Sequence, residues 1–127
     1  MVIAVSLCTT TAPARADDPE LYRVTYTVSS DAPVSVDIYY HDQDPQTWAD
    51  YSHNPYQFTP KETANIGPGR PWNLEVLLQD PSRWAMVTAT VIGKTSTANL
   101  HCTLSVDAKI VNTAAGPRGA LCSPRHW

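Results

Sequence analysis

The residue types best suited to chemistry crowd one stretch, where His41, Asp42, Asp44 and Asp50 fall close together. Oxygen ligands at such spacing suit calcium, but the stretch lacks the central glycine and closing glutamate of an EF-hand loop. A solvated acidic loop is the simpler reading, and no metal site is expected. An imidazole among carboxylates also suits hydrolysis by general acid–base catalysis, with His41 and Asp44 as the pair to test. The four histidines, His41, His53, His101 and His126, are dispersed, and the chain has no GxSxG elbow, HExxH helix or phosphate-cradling glycine loop. No catalytic residue and no cofactor is assigned, and the expectation is a protein that is not an enzyme. A small secreted hydrolase stands as the alternative.

The same stretch is rich in aromatic residues, with Tyr39, Tyr40, Trp48, Tyr51, Tyr56 and Phe58 close in sequence. Large rings supply contact area at low entropic cost, so Tyr39, Trp48, Tyr51, Tyr56 and Phe58 form the candidate binding surface for a protein, glycan or lipid. The competing reading is that these rings close one end of a small core.

Positioning these side chains falls to elements that begin after a processing signal. Residues 2–7 are an apolar run, and Ala14, Arg15 and Ala16 precede the acidic Asp17 and Asp18. A small residue on each side of one arbitrary residue is what signal peptidase accepts, so cleavage after Ala16 is expected, leaving a domain over 17–127. The apolar run is far below the roughly 20 residues that span a bilayer. No Lys or Arg precedes it, and a start further upstream would either restore a basic leader or lengthen the run into an anchor. Lipid attachment at Cys8 is disfavoured by the bulk of Leu7. Removal of the segment takes Cys8 away and leaves Cys102 and Cys122 as an even pair in an oxidising compartment, where a disulfide is expected. The expected location is secreted or periplasmic, in the cell envelope.

Period-two alternation dominates the rest. Tyr22, Val24, Tyr26 and Val28 alternate with Arg23, Thr25 and Thr27, and Val34, Val36, Ile38 and Tyr40 with Ser35, Asp37 and Tyr39. The turn chemistry of Ser29, Ser30, Asp31, Ala32 and Pro33 suggests a hairpin between these two strands. The 41–60 stretch reads as a long loop with a short strand near 56–59. After a turn over 67–71 come strands at Trp72, Leu74, Val76 and Leu78, then at 84–92, then at Leu100, Cys102, Leu104 and Val106, with Cys102 facing the core. A short strand at 109–111, a loop over 112–119, an extended piece carrying Cys122 and loose residues at 123–127 complete the chain. Six or seven short strands without helical periodicity predict an all-β, antiparallel sandwich of about seven strands with one disulfide. A chain of 127 residues at 43% hydrophobic content supports one folded domain. A net charge of −3, with nine Lys and Arg scattered singly, excludes a nucleic-acid or polybasic membrane-surface role.

Several short matches resemble the MmpS family, small mycobacterial membrane proteins that accompany MmpL-type transporters. They are Val24, Thr25, Tyr26, Thr27 and Val28; Ile38, Tyr39 and Tyr40 with Asp42 after them; Pro71 and Trp72; residues 87–91; Cys102, Thr103, Leu104, Ser105, Val106 and Asp107; Asn112; and Ala120, Leu121 and Cys122. The resemblance implies an immunoglobulin-like sandwich outside the inner membrane with its two cysteines bonded. It also implies a role in lipid or siderophore export, with a transporter or a lipid-like ligand as partner. The chain departs from the family in having a cleavable signal in place of a membrane helix, and Ala108 where a glycine is usual. On these grounds the expected function is that of a non-enzymatic binding module of the cell envelope, with a purely structural secreted domain as a further alternative.

Overall fold

The computed structural model describes residues 20–93 and 98–125. The expected signal over 1–16 lies outside the described residues. Among the described residues, eight strands form two four-stranded antiparallel sheets. The first sheet holds β1 (Tyr22–Ser30), β4 (Trp72–Leu78), β6 (Leu100–Val106) and β7 (Lys109–Gly116), in the order β4-β1-β6-β7. The second holds β2 (Val34–Tyr40), β3 (Lys61–Ile66), β5 (Val87–Val91) and β8 (Gly119–Cys122), in the order β3-β2-β5-β8. The fold is the expected immunoglobulin-like sandwich, with eight strands rather than about seven.

Alternation along each strand builds the core. Val24, Tyr26 and Val28 of β1, with Leu100, Cys102 and Leu104 of β6, face Val36 and Ile38 of β2, Val87, Ala89 and Val91 of β5, and Ala120 and Cys122 of β8. Interdigitated inner faces of this kind are what holds two sheets together. Cys102 on β6 and Cys122 on β8 are bonded, so the disulfide joins the two sheets within the buried layer.

Several local expectations are corrected. β1 and β2 are not a hairpin: β1 pairs with β4 and β6, whereas β2 pairs with β3 and β5. Alternation reports which face of a strand is buried, and two strands facing one core from opposite sheets show the same pattern as two paired ones. The strand expected near 56–59 is a 3₁₀ turn (Pro55–Gln57), preceded by the short helix α1 (Trp48–His53). The strand expected over 84–92 starts later, because Pro81–Trp84 forms a second helix, α2, in which Trp84 is buried. The loop expected over 112–119 is mostly β7, which turns through Pro117 and Arg118 into β8.

β6 and β7 are joined by the two-residue turn of Asp107 and Ala108, both with positive φ, at 51° and 70°. Such a turn matches the twist of paired strands but forces a left-handed backbone. Asp107 offsets part of that strain by accepting a hydrogen bond from the Arg23 amide at 2.9 Å. Ala108 has no comparable side-chain option.

Candidate functional site

The segment between β2 and β3 covers one end of the sandwich, and its fixing points are polar. Asp44 accepts from the amides of Gln79 and Asp80, at 2.7 and 2.9 Å, tying the segment to the junction of β4 and α2. Thr47 caps α1 by accepting from the Asp50 amide at 3.1 Å, as a threonine before a first helical turn does. Thr59 donates to the Pro55 carbonyl at 2.8 Å and closes the 3₁₀ turn.

His41 is fully buried beneath this segment. Its Nδ1 lies 2.5 Å from the Trp84 carbonyl, which can only accept, so the proton sits on Nδ1 and Nε2 is left to accept from the Tyr51 hydroxyl at 3.3 Å. Burial holds the imidazole below its ordinary pKa, against the opposing pull of the Trp84 carbonyl. The His41 carbonyl accepts from the Tyr26 hydroxyl at 2.7 Å, and the same hydroxyl accepts from the Met86 amide at 3.2 Å. Tyr26 thereby ties β1 to the backbone of the opposite sheet. The two side chains best suited to hydrolysis are thus committed to the scaffold: His41 to a carbonyl and a phenol, Asp44 to two backbone amides. Asp42 and Asp50 are exposed. Among the described residues no cluster of three or more His, Cys, Asp or Glu could hold a metal ion.

Of the five rings expected to form a binding surface, the fold gathers three. Trp48 and Tyr51 lie with ring centres 5.4 Å apart, and Tyr51 and Phe58 at 6.4 Å. Tyr56 is 84% exposed on the 3₁₀ turn. Tyr39 is elsewhere, on β2 opposite Lys61 and Thr88, with its register partners on the outer face of the second sheet. The centre of the cluster is a residue that sequence reasoning assigned to a strand. Trp84 stacks on Trp48 at 6.1 Å with ring planes 16° apart, and its ring lies 5.5 Å from Tyr51. Arg125 sits over the Trp48 ring at 5.3 Å and Arg83 over Trp84 at 5.4 Å, both within cation–π range. Pro81, placed after Asp80 at the first helical position, was the available signal that α2 and not a strand begins there.

The rings grade from core to surface. Trp84 is 3% exposed, Tyr51 and Phe58 are half-buried, and Trp48 is 45% exposed. Beside them, Gln43, Gln46, Asp50, Asn54, Gln57 and Phe58, with Asp44 behind, line an open groove of about 330 Å³. A second cleft, of about 580 Å³, lies between Pro33, Val34, Asn65, Ile66, Arg70 and Ile92. Among the described residues no helix is long and apolar enough to cross a membrane.

Comparison with known proteins fits this architecture. A profile of the Rv2576c β-sandwich domain matches residues 26–122, from within β1 to the end of β8. Relatives named uncharacterized protein Rv2576c and uncharacterized protein MT2652, from two strains of Mycobacterium tuberculosis, and uncharacterized protein Mb2606c, from Mycobacterium bovis, are each 34% identical over 114 residues. Each alignment covers 90% of this chain and 73% of the relative. The expected kinship with MmpS proteins is corrected by these matches. The short stretches that carried it are alternating Val, Thr and Tyr on β1 and β2 and an inward cysteine on β6, which another disulfide-bridged sandwich with strands of this length also supplies. The transporter role stood on that resemblance alone and loses its support with it. The chain belongs to the Rv2576c β-sandwich domain family.

Proposed function

We propose that this is an exported, non-enzymatic binding module of the mycobacterial cell envelope, which engages its partner through the end of the sandwich built by residues 41–60. The observation that carries this reading is the exposure of Trp48 above the rings of Tyr51 and Trp84 packed against it, with the exposed Tyr56 on the neighbouring 3₁₀ turn. A ring fixed from below and open above gives contact area with little ordering left to do. Export is supported by the bond between Cys102 and Cys122, which persists in oxidising compartments and is rare in the cytosol. The non-catalytic reading is supported by the structural employment of His41 and Asp44.

The test is retention of the purified, oxidised domain on separated envelope fractions (wall polysaccharide, lipid extract and detergent-solubilised membrane protein), compared with Trp48→Ala and Tyr56→Ala. Saturable retention on one fraction, lost in both variants, is the expected result. Equal behaviour of wild type and variants on every fraction would remove this surface from consideration.

A further inference from the structure

We infer that the groove beside α1 is a site for a neutral carbohydrate, which rests on the binding-module reading and names its ligand class. Four carboxamides, Gln43, Gln46, Asn54 and Gln57, converge there with the carboxylate of Asp50. A carboxamide presents a donor and an acceptor side by side, the pattern that matches a sugar hydroxyl, which both gives and takes a hydrogen bond. The side chains of Gln46, Asp50, Asn54 and Gln57 direct no hydrogen bond at another described residue, whereas Asp44 behind them is held by two amides. Gln43 donates its Nε2 to the Gln57 carbonyl at 3.3 Å and helps to fix the wall, while the donors and acceptors of the other four side chains are available to a ligand.

Other ligand classes fit the lining poorly. No Lys or Arg lines the groove, while two carboxylates do, so phosphates, sulfates and acidic lipid headgroups meet the wrong sign of charge. The walls are the irregular 43–46 stretch, a helix and a 3₁₀ turn, and they offer no strand edge along which a peptide backbone could add. Phe58 is the aromatic contribution, its ring held against Tyr51, and it supplies an apolar patch for the C–H face of a pyranose. A volume of about 330 Å³ suits a mono- or disaccharide end of a longer chain and falls at the small end of ligand sites. The frame is fixed before any ligand arrives, by the Asp44 clamp, the Thr47 cap and the Thr59 bond.

The experiment is a calorimetric titration of the oxidised chain with neutral mannan, glucan, arabinan and galactan oligosaccharides. Sulfated and uronic-acid oligosaccharides serve as anionic controls. Binding to a neutral series, weakened about tenfold or more in Asn54→Ala and Gln57→Ala variants that melt like wild type, is expected. A preference for the anionic series, or neutral binding indifferent to both substitutions, overturns the assignment. Retention on lipid or protein fractions that depends on Trp48, with no sugar bound, overturns the carbohydrate inference while leaving the binding module standing. No retention and no sugar binding would overturn both.

Discussion

Replacing Tyr26 by phenylalanine removes one oxygen from a fully buried ring and should unlink the two sheets where the 41–60 segment begins. The hydroxyl donates to the His41 carbonyl at 2.7 Å and accepts from the Met86 amide at 3.2 Å. In Tyr26→Phe the Met86 N–H has no acceptor left among the described residues, at a cost of about 1–3 kcal/mol for an orphaned buried donor. Loss of the bond to His41 adds about 1 kcal/mol. A destabilisation of about 2–4 kcal/mol follows, which for a domain of this size lowers Tm by about 10 °C or more. Urea and thermal unfolding of Tyr26→Phe against Tyr39→Phe, whose ring is on an outer face, isolate the effect, and the control should stay within about 0.5 kcal/mol of wild type. Alkaline pH supplies an independent readout. Burial raises the Tyr26 pKa well above its ordinary 10.0, so its neutral form is favoured in the fold. Its contribution is complete below pH 10 and is lost as pH rises beyond it, at up to about 1.4 kcal/mol per pH unit, until the folded group itself ionises. Tyr26→Phe should lose much of that alkaline slope. If the variant melts within 2 °C of wild type and keeps the slope, the hydroxyl is not the link described.

Three further outcomes are expected. His41, whose pKa is lowered by burial, contributes stability that is present above its ordinary 6.5 and lost as pH falls below it, and His41→Gln should flatten that acid limb in pH-dependent melting. Reducing the Cys102–Cys122 bond, or replacing both cysteines by alanine, should cost about 3 kcal/mol for a bridge spanning 20 positions, read as a shift in denaturant midpoint; an unchanged midpoint would contradict it. Ala108→Gly relieves a φ of 70° and should stabilise the domain by about 0.5–1 kcal/mol after the greater freedom of the unfolded glycine is deducted, measured by chemical denaturation.

What the sequence displayed was the burial of each strand, not its partners. β1, β2, β4 and β6 alternate cleanly because each has one face on the core, and Cys102 was correctly turned inward for the same reason. β3 was invisible because it is an edge strand: Lys61, Glu62, Thr63 and Asn65 are exposed, and only Ile66 is buried. α1 and α2 have six and four residues, too short for a helical period to register, and only Thr47 and Pro81 mark their starts. The aromatic group was legible as composition. Its centre was not, because Trp84 joins it across more than thirty positions of chain, through a helix that looked like the start of a strand.

The two readings of those rings, a lid on the core and a surface for a partner, describe different depths of one end of the sandwich, with Tyr56 standing outside the stack. Trp84 at 3% exposure and the half-buried Tyr51, bonded to His41, close the sandwich, so replacing either damages the fold and says nothing about recognition. Trp48 at 45% and Tyr56 at 84% retain solvent-facing area, and of the two only Trp48 also covers Trp84 and Tyr51. Burial therefore separates the substitutions that report on stability from those that report on function. Trp84→Ala should lower Tm by 10 °C or more, as expected for a core ring worth about 3–5 kcal/mol, and reduce every activity with it. Tyr56→Ala should melt within about 2 °C of wild type and alter binding alone. A Tyr56→Ala variant as unstable as Trp84→Ala would mean that the turn carrying it belongs to the core, and that this end of the molecule has no surface set apart for a partner.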